Sequence, residues 1–365
     1  MSKKPHGYDR VIYLLQGGGA LGSYQVGVCE ALLNYGCIPD WLIGTSIGAI
    51  NSAIIAGNAP ADRVKKLKEF WQMIASPIPT IQWFESNYAL EEISKSYSAL
   101  WTLTFGQSGF FKPRLFNPWF TVSRYPDQIS FYDTSELKYK LEKFVNFDLI
   151  NQKKVRLTLA ALCVEGGQLI YFDNTKQIIG PEHVMASSAL PPGFPAVRIA
   201  GKNYWDGGLS SNTPFNAVLQ EEIPDKILCI MAHLFSYHER TPATLGEILK
   251  LKKDIEFSSR YHQIINYMCE IQKLHNILHA IIQSEPDIAK KNNIKDIVKL
   301  SYPIAMNVVR FHYRDYPSNL WAKDFDFSPE SLLEHYRTGY QDVSEALKNP
   351  SWLYEIPESI NLLEF

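Results

Sequence analysis

A G-x-S-x-G motif centred on Ser46 constrains the fold of this chain more than any other feature. Residues 41–43 before it are short and apolar, as in a buried strand, and residues 47–57 after it are apolar and rich in small side chains, as in a buried helix. A serine of this motif is an exposed nucleophile when it lies between a strand and a helix. We therefore predict a sharp turn at Ser46, where Gly44 and Gly48 allow the strand and the helix to approach closely.

Another strand and helix precede this turn. Residues 11–15 are an apolar run, and residues 21–35 carry apolar side chains at the 3.6-residue spacing of a helix face. Gly36 and Pro39 follow at the point where such a helix would stop. Strand, helix, strand and helix in succession indicate an α/β fold with a mostly parallel sheet and covering helices.

Residues 17–22, between the first strand and helix, match G-x-G-x-x-G and allow three interpretations. A dinucleotide site would need an acidic residue near the end of the second strand, but Asp40 lies at the start of that strand. A turn that only packs strand on helix is the second interpretation. We favour the third, an anion cradle in which the amides of Gly17, Gly18 and Gly19 form the oxyanion hole that acyl transfer needs.

The remaining candidate elements suggest a division of the chain at about residue 240. They include two hairpins at residues 155–172 and 197–205 and two strands at residues 227–232 and 306–313. Helices are expected at residues 62–75, after residue 134, from Pro181, at residues 245–283 and after Ser328. We predict an α/β domain over residues 8–240 and a mostly helical C-terminal extension over residues 241–365 that packs on this core.

Residues 77–132 are predicted to form an aromatic-rich insertion, in which prolines interrupt regular structure. We expect this insertion to cover the site or to face lipid, and an ordinary satellite core is the alternative. Residues 105–120 are the candidate membrane contact. Trp119 suits the interfacial zone of a bilayer, and Lys112 and Arg114 suit anionic lipid.

Composition argues against several classes of function. A net charge of −2 provides no basic field for nucleic acid. The cysteines are scattered, and no glutamate of the zinc-helix pattern lies between His275 and His279, so no metal site is predicted.

The apolar runs are too short for a transmembrane helix or a signal peptide. We therefore expect a cytoplasmic or peripheral membrane protein, although export without a cleaved signal would leave no trace in the sequence.

Ser46 needs a base, and two kinds of residue are available. His233 and His238 are candidates for a triad of serine, acid and histidine. Asp206 directly follows a predicted strand and precedes two glycines, whose amides can hold its carboxylate ionised and oriented. A carboxylate within hydrogen-bond reach of Ser46 could take its proton without an imidazole.

Together these motifs resemble those of the patatin-like phospholipases, over roughly residues 8–235. The resemblance rests on four segments: the glycine loop that ends at Gly22, the motif from Gly44 to Gly48, the A-S-x-A-x-P-x-x-F-P stretch at residues 186–195, and Asp206 followed by Gly207 and Gly208. The extension after residue 240 resembles that of a bacterial subgroup of the family.

This resemblance implies a three-layer α/β/α sandwich and a serine lipid acyl hydrolase of the phospholipase A or lysophospholipase type. The implied dyad is Ser46 and Asp206, and the implied substrate is a phospholipid or another acyl-ester lipid, met at a transient membrane surface without a metal or an organic cofactor. Many members carry Arg or Lys where this chain has Leu21, which argues against a strong preference for anionic head groups. An acyltransferase and a catalytically silent lipid- or protein-binding module are the alternatives. The sequence identifies no activating protein partner.

Overall fold

A computed structural model describes residues 7–76, 88–116, 118–123, 125–219, 226–235, 241–284, 305–314 and 322–365 of the chain. Strands β1 to β11 are Arg10–Leu15, Trp41–Gly44, Lys112–Pro113, Tyr132–Asp133, Arg156–Cys163, Leu169–Asp173, Val197–Ile199, Lys202–Asp206, Ile227–His233, Met306–His312 and Ile360–Glu364. Helices α1 to α10 are Ser23–Tyr35, Ile47–Ala56, Arg63–Ile74, Tyr88–Phe105, Ser135–Phe144, Phe147–Asn151, Pro181–Ser187, Asn216–Leu219, Leu245–Ser284 and Pro329–Ala346.

One large sheet organises the described chain, in the strand order β11-β10-β9-β1-β2-β5-β8-β7, with β6 also paired to β5. The strands from β11 to β5 are parallel to their neighbours, whereas β6, β7 and β8 pair in antiparallel fashion. Leu15 at the end of β1 lies opposite Gly44 at the end of β2. The glycine loop and the Ser46 turn therefore leave the sheet side by side.

Helices cover both faces of this sheet, because side chains alternate between its faces along each strand. On β1, the side chains of Val11, Tyr13 and Leu15 belong to one hydrophobic core, and those of Ile12 and Leu14 to the other. The first core also holds side chains of α1, α2 and α3, and the second holds Tyr261, Ile265 and Met268 of α9. These two cores confirm the predicted three-layer α/β/α arrangement.

The C-terminal region is more closely integrated with the sheet than a helical extension packed on the core would be. Met306 of β10 lies opposite Ile227 of β9, and β11, which the sequence analysis missed, pairs in parallel with β10. Helix α10 packs on α1, where the Tyr24 hydroxyl donates a hydrogen bond to Asp342 at 2.7 Å. The region after residue 240 is thus mostly helical, but it also adds two strands to the sheet.

The insertion predicted at residues 77–132 contains regular structure that the sequence analysis did not expect. Residues 80–112 lack proline, and helix α4 occupies Tyr88–Phe105. The prolines fall among short elements after this helix, including the two-stranded pairing of β3 with β4. Residues 77–87, which include Pro77 and Pro79, lie outside the described residues.

Among the described residues, each helix is either too short or too polar to cross a membrane.

Candidate active site

Ser46 lies at the junction between β2 and α2 with an unusual backbone conformation. Its φ of 56° and ψ of −127° put it in a region that residues other than glycine rarely adopt, at a cost of about 1–3 kcal/mol. Gly48, at the start of α2, lies against the carbonyl of Leu15, and no Cβ would fit there. The predicted strand, sharp turn and helix are therefore present, and the serine side chain is only partly buried.

Two serines at the end of α7 hold this strained residue. The amide of Ser46 donates to the carbonyl oxygen of Ser187 at 3.0 Å and to its hydroxyl at 3.3 Å. The hydroxyl of Ser188 donates to the carbonyl oxygen of Ser46 at 3.1 Å. The sequence alone does not reveal this role of Ser187 and Ser188, because their contact with Ser46 joins residues more than 140 positions apart.

Asp206 ends strand β8 and lies beside Ser46. Its carboxylate is 1% exposed, accepts a hydrogen bond from the amide of Gly208 at 2.7 Å and interacts with the side chain of Ser46. The amide of Asp206 donates to the carbonyl oxygen of Ala189 at 3.0 Å. The segment that holds Ser46 therefore also holds Asp206, which fixes the two residues relative to each other.

The environment of Asp206 makes its carboxylate unusually basic. Burial raises the pKa of Asp206 to about 7, while the side chain of Ser46 and the hydrogen bond from the Gly208 amide act in the opposite direction. Burial dominates because it removes water from the charged form. A group with a pKa near the working pH is suited to accept a proton and to return it.

The glycine loop packs directly against Ser46. A Cβ on Gly17 would lie 2.9 Å from the Cβ of Ser46. The Gly17 amide donates to the carbonyl oxygen of Asn212 at 3.4 Å, and the Asn212 side-chain amide donates to the Gly17 carbonyl oxygen at 3.0 Å. Among the described residues, the amides of Gly18 and Gly19 donate no hydrogen bond, whereas the amide of Gly17 donates one. Asn212 was not identified from the sequence.

A buried polar network connects the glycine loop to α2 and α3. The Gln25 side-chain amide donates to the carbonyl oxygen of Gln16 at 2.7 Å. The side-chain amide of Asn51 donates to Gln25 at 2.9 Å and to the carbonyl oxygen of Gly22 at 3.0 Å, and it accepts from Trp71 at 2.9 Å. Polar residues inside apolar helices were the available sequence signal for this network, and sequence analysis did not use it.

Of the two histidines considered as members of a catalytic triad, only His233 lies within the described residues. His233 is fully buried at the end of β9, where its Nδ1 accepts a hydrogen bond from Arg310 at 3.2 Å and its ring packs edge-on against Tyr261. Tyr261 belongs to the core on the opposite face of the sheet from α2, so His233 is not brought to Ser46. His238 lies outside the described residues.

Family models match two long segments of this chain. A family model described as patatin-like phospholipase matches residues 13–219, and a second model, described as patatin phospholipase, matches residues 255–359. The triacylglycerol lipase SDP1L of Arabidopsis thaliana is 33% identical over 55 residues, which cover 15% of this chain and 7% of that protein.

Two solved structures are also similar. The structure of VipD from Legionella pneumophila aligns with a TM-score of 0.39 and 16% identity, over 93% of this chain and 66% of that one. A chain from the complex of full-length SpcU with full-length ExoU, of the Pseudomonas aeruginosa type III secretion system, aligns with a TM-score of 0.27 and 15% identity, over 79% of this chain and 60% of that one. The alignments thus cover less than two thirds of each of these three relatives. Because the first family model matches more than half of the 365 residues, this chain belongs to the patatin-like phospholipase family.

Proposed function

We propose that this protein is a serine hydrolase that cleaves acyl esters of lipids. The observation that carries the proposal is the interaction of the Ser46 side chain with the buried carboxylate of Asp206. A nucleophile beside a base of suitable pKa is the arrangement that covalent acyl transfer requires. Membership of the patatin-like phospholipase family supports a lipid ester as the substrate class.

In the first half of the reaction, Asp206 takes the proton of the Ser46 hydroxyl as its oxygen attacks the ester carbonyl. The carbonyl oxygen becomes an oxyanion, which accepts hydrogen bonds from the amides of Gly18 and Gly19. Gly17 is the weaker donor of the three predicted glycines, because its amide already donates to Asn212. The tetrahedral intermediate then expels the alcohol, which leaves with the proton from Asp206.

In the second half, a water molecule attacks the acyl group on Ser46 and gives a proton to Asp206. Collapse of the second tetrahedral intermediate releases the fatty acid and returns that proton to Ser46. An alcohol in place of water would give acyl transfer instead. The residue at position 21 is a buried leucine, so it supplies no positive charge beside the glycine loop. The proposed substrates are therefore phospholipids, lysophospholipids or neutral acyl esters, met by transient contact with a membrane.

Labelling with a fluorophosphonate probe tests the nucleophile, and release of fatty acid from a panel of purified lipids tests the substrate class. We expect labelling of the parent protein and none of Ser46→Ala. The matched control is Ser344→Ala on α10, which should be labelled like the parent. A parent that is not labelled and releases no fatty acid would favour the silent lipid- or protein-binding module. Full activity of Asp206→Asn, with loss in His233→Ala or His238→Ala, would favour a histidine triad.

A further inference from the structure

A cluster of large apolar side chains projects into solvent from the chain between α4 and β4. This cluster, called the apolar tip below, consists of Leu115, Phe116, Trp119, Phe120 and Val122. The exposed fractions of these side chains are 100%, 81%, 80%, 86% and 100%. Single exposed apolar residues are ordinary on protein surfaces, but a group of adjacent ones marks a site of contact with something apolar.

The base of the apolar tip is firmly anchored. Phe111 is buried, and its ring lies 5.0 Å from that of Phe194. The amide of Arg114 donates to the carbonyl oxygen of Phe131 at 2.9 Å. The amide of Phe131 in turn donates to the carbonyl oxygen of Pro192 at 3.1 Å. The prediction for residues 105–120 as one membrane contact is therefore wrong for Phe110 and Phe111, which belong to the core that also holds side chains of α1, α2 and α3. It remains open for the exposed residues of this stretch, which include those of the tip.

The same anchor leads to the candidate active site. Pro192 and Phe194 belong to the segment that begins with Ser187 and Ser188, and these two serines hold the backbone of Ser46. The apolar tip and the nucleophile are thus attached to opposite ends of one short segment. A surface that docks through the tip would be held at a fixed position relative to Ser46.

Two described cations beside the tip, Lys112 and Arg114, have acidic neighbours. Lys112 forms an ion pair with Glu136 at 3.4 Å. Arg114 donates to the Ser130 hydroxyl at 2.9 Å, and together with Lys112 it adds to the hydrogen bonds from Ser135 that lower the pKa of Asp133. These two cations are therefore partly neutralised by Glu136 and Asp133, so the tip is suited to an apolar partner more than to an anionic one.

We propose that the apolar tip inserts into the interfacial layer of a lipid bilayer and so holds the active site against the membrane. This proposal rests on the lipid hydrolase proposed above and adds the surface by which that enzyme meets its substrate. Side chains that are at least 80% exposed protrude from the protein, and a bilayer can deform around protruding rings. Aromatic rings settle at the level of the lipid head groups, and the buried apolar area sets the strength of binding.

Flotation with phosphatidylcholine vesicles tests this surface, in a Ser46→Ala background so that hydrolysis does not alter the vesicles. We expect Phe116→Ser combined with Phe120→Ser to weaken vesicle binding by about tenfold or more, since half-burying two such rings is worth at least about 1.4 kcal/mol. The melting temperature should not change. The matched control is Tyr267→Ser combined with Leu274→Ser, two side chains of α9 that are 69% and 65% exposed, and it should bind like the parent.

Two further measurements examine the mode of insertion. Because Lys112 and Arg114 have acidic neighbours, addition of anionic phosphatidylserine should change binding by less than about threefold. Two uncompensated basic residues, at about 1 kcal/mol each, would change it far more. Phosphatidylcholine with brominated acyl chains should quench tryptophan fluorescence, and Trp119→Phe should lose most of that quenching while it still binds.

The outcomes separate this proposal from the proposed hydrolase. With Ser46 intact, loss of vesicle hydrolysis by the tip variant and unchanged hydrolysis of a short soluble ester would support the tip as the docking surface. Vesicle binding that is absent in the parent, or equal in parent and tip variant, would overturn the docking proposal while fluorophosphonate labelling still tested the hydrolase. Reduced self-association with unchanged vesicle binding would also overturn it and would assign the tip to contact with a second copy of the chain.

Discussion

The candidate active site and the apolar tip both reverse the usual distribution of side chains. Around Ser46, the side chains of Gln16, Gln25, Asn51 and Asp206 are at most 1% exposed, although polar groups normally face water. At the tip, five apolar side chains are at least 80% exposed. Both arrangements are unfavourable in isolation, because buried polar groups lose their hydration and exposed apolar groups order or displace water.

The two regions differ in where the compensation comes from. The buried amide side chains of the site find partners inside the protein, through hydrogen bonds that join Gln16, Gln25, Asn51 and Trp71. The exposed rings of the tip receive no comparable burial from the described chain. Under the proposals made above, the tip, unlike the site, gains its compensation from a surface outside the molecule. Variants in the two regions should therefore affect different properties.

The largest effect is expected for the proposed dyad. Ser46→Ala and Asp206→Asn should each lower kcat/KM for a short soluble ester by roughly 10⁴-fold or more, as loss of a nucleophile or its base does in serine hydrolases. The double variant should be little worse than either single variant, because the two residues act as one unit. Steady-state kinetics with the purified variants measures this, and additive losses would show that the two residues act independently.

A smaller loss is expected when the glycine loop is altered. Gly18→Ala should lower kcat by about 10²- to 10³-fold if its amide is an oxyanion donor. A Cβ at this position would lie 2.8 Å from the side chain of Leu234, so crowding is a second way to displace the loop. Gly18→Ala combined with Leu234→Ala distinguishes the two causes. If the double variant recovers activity, crowding against Leu234 caused the loss, and the amide of residue 18 is again correctly placed. Unchanged turnover in Gly18→Ala would place the oxyanion donors elsewhere.

The pKa of Asp206, raised by burial to about 7, predicts the pH dependence of the reaction. The carboxylate must be ionised to accept a proton, so kcat/KM should rise about tenfold between pH 6 and pH 8 and then level off. A pH profile for a soluble ester measures this directly. A profile that is flat over that range would mean that ionisation of Asp206 does not limit the rate.

The same shift has a consequence for stability. The pKa of Asp206 in the folded chain lies above its usual value of 3.8, so the folded state favours the neutral acid. This contribution to the free energy of unfolding is fully present below about pH 4 and is lost as the pH rises through about 7. Asn at this position stays neutral and avoids that loss. The melting temperature of Asp206→Asn relative to the parent should therefore be higher at pH 8 than at pH 5, and an equal difference at both pH values would contradict the assigned shift.

The smallest effect is expected for Asn212, which touches the glycine loop from the side. Asn212→Ala removes the 3.0 Å hydrogen bond to the carbonyl oxygen of Gly17, a neutral bond worth about 1 kcal/mol. We expect kcat to fall about fivefold with KM for a soluble ester nearly unchanged, because the loop would be less well positioned without any substrate contact being lost. Asn212→Asp, which cannot donate this bond, should behave in the same way, and a change in KM alone would argue against a positioning role.

Much of the fold could be predicted from the sequence because its signals are local. Apolar runs, helical spacing and glycine turns identified β1, α1, β2, α2 and the two hairpins, each to within about two residues. The strained turn at Ser46 was also predictable, since it needs only a strand before it and small residues after it. Strand β11 was missed because it is short and takes its place only by pairing with β10.

The sequence by itself determined which residues could act as nucleophile, base and oxyanion donors, because those roles depend on residue type and on neighbouring glycines. Only the tertiary structure decided how these residues are combined. Antiparallel pairing of Ala161 with Asp206 carries that carboxylate to Ser46, while the alternation of β9 directs His233 to the opposite face. It also decided that Phe110 and Phe111 are buried and Phe116 and Phe120 are exposed. These outcomes depend on contacts between residues far apart in the chain, which hydrophobicity alone does not encode.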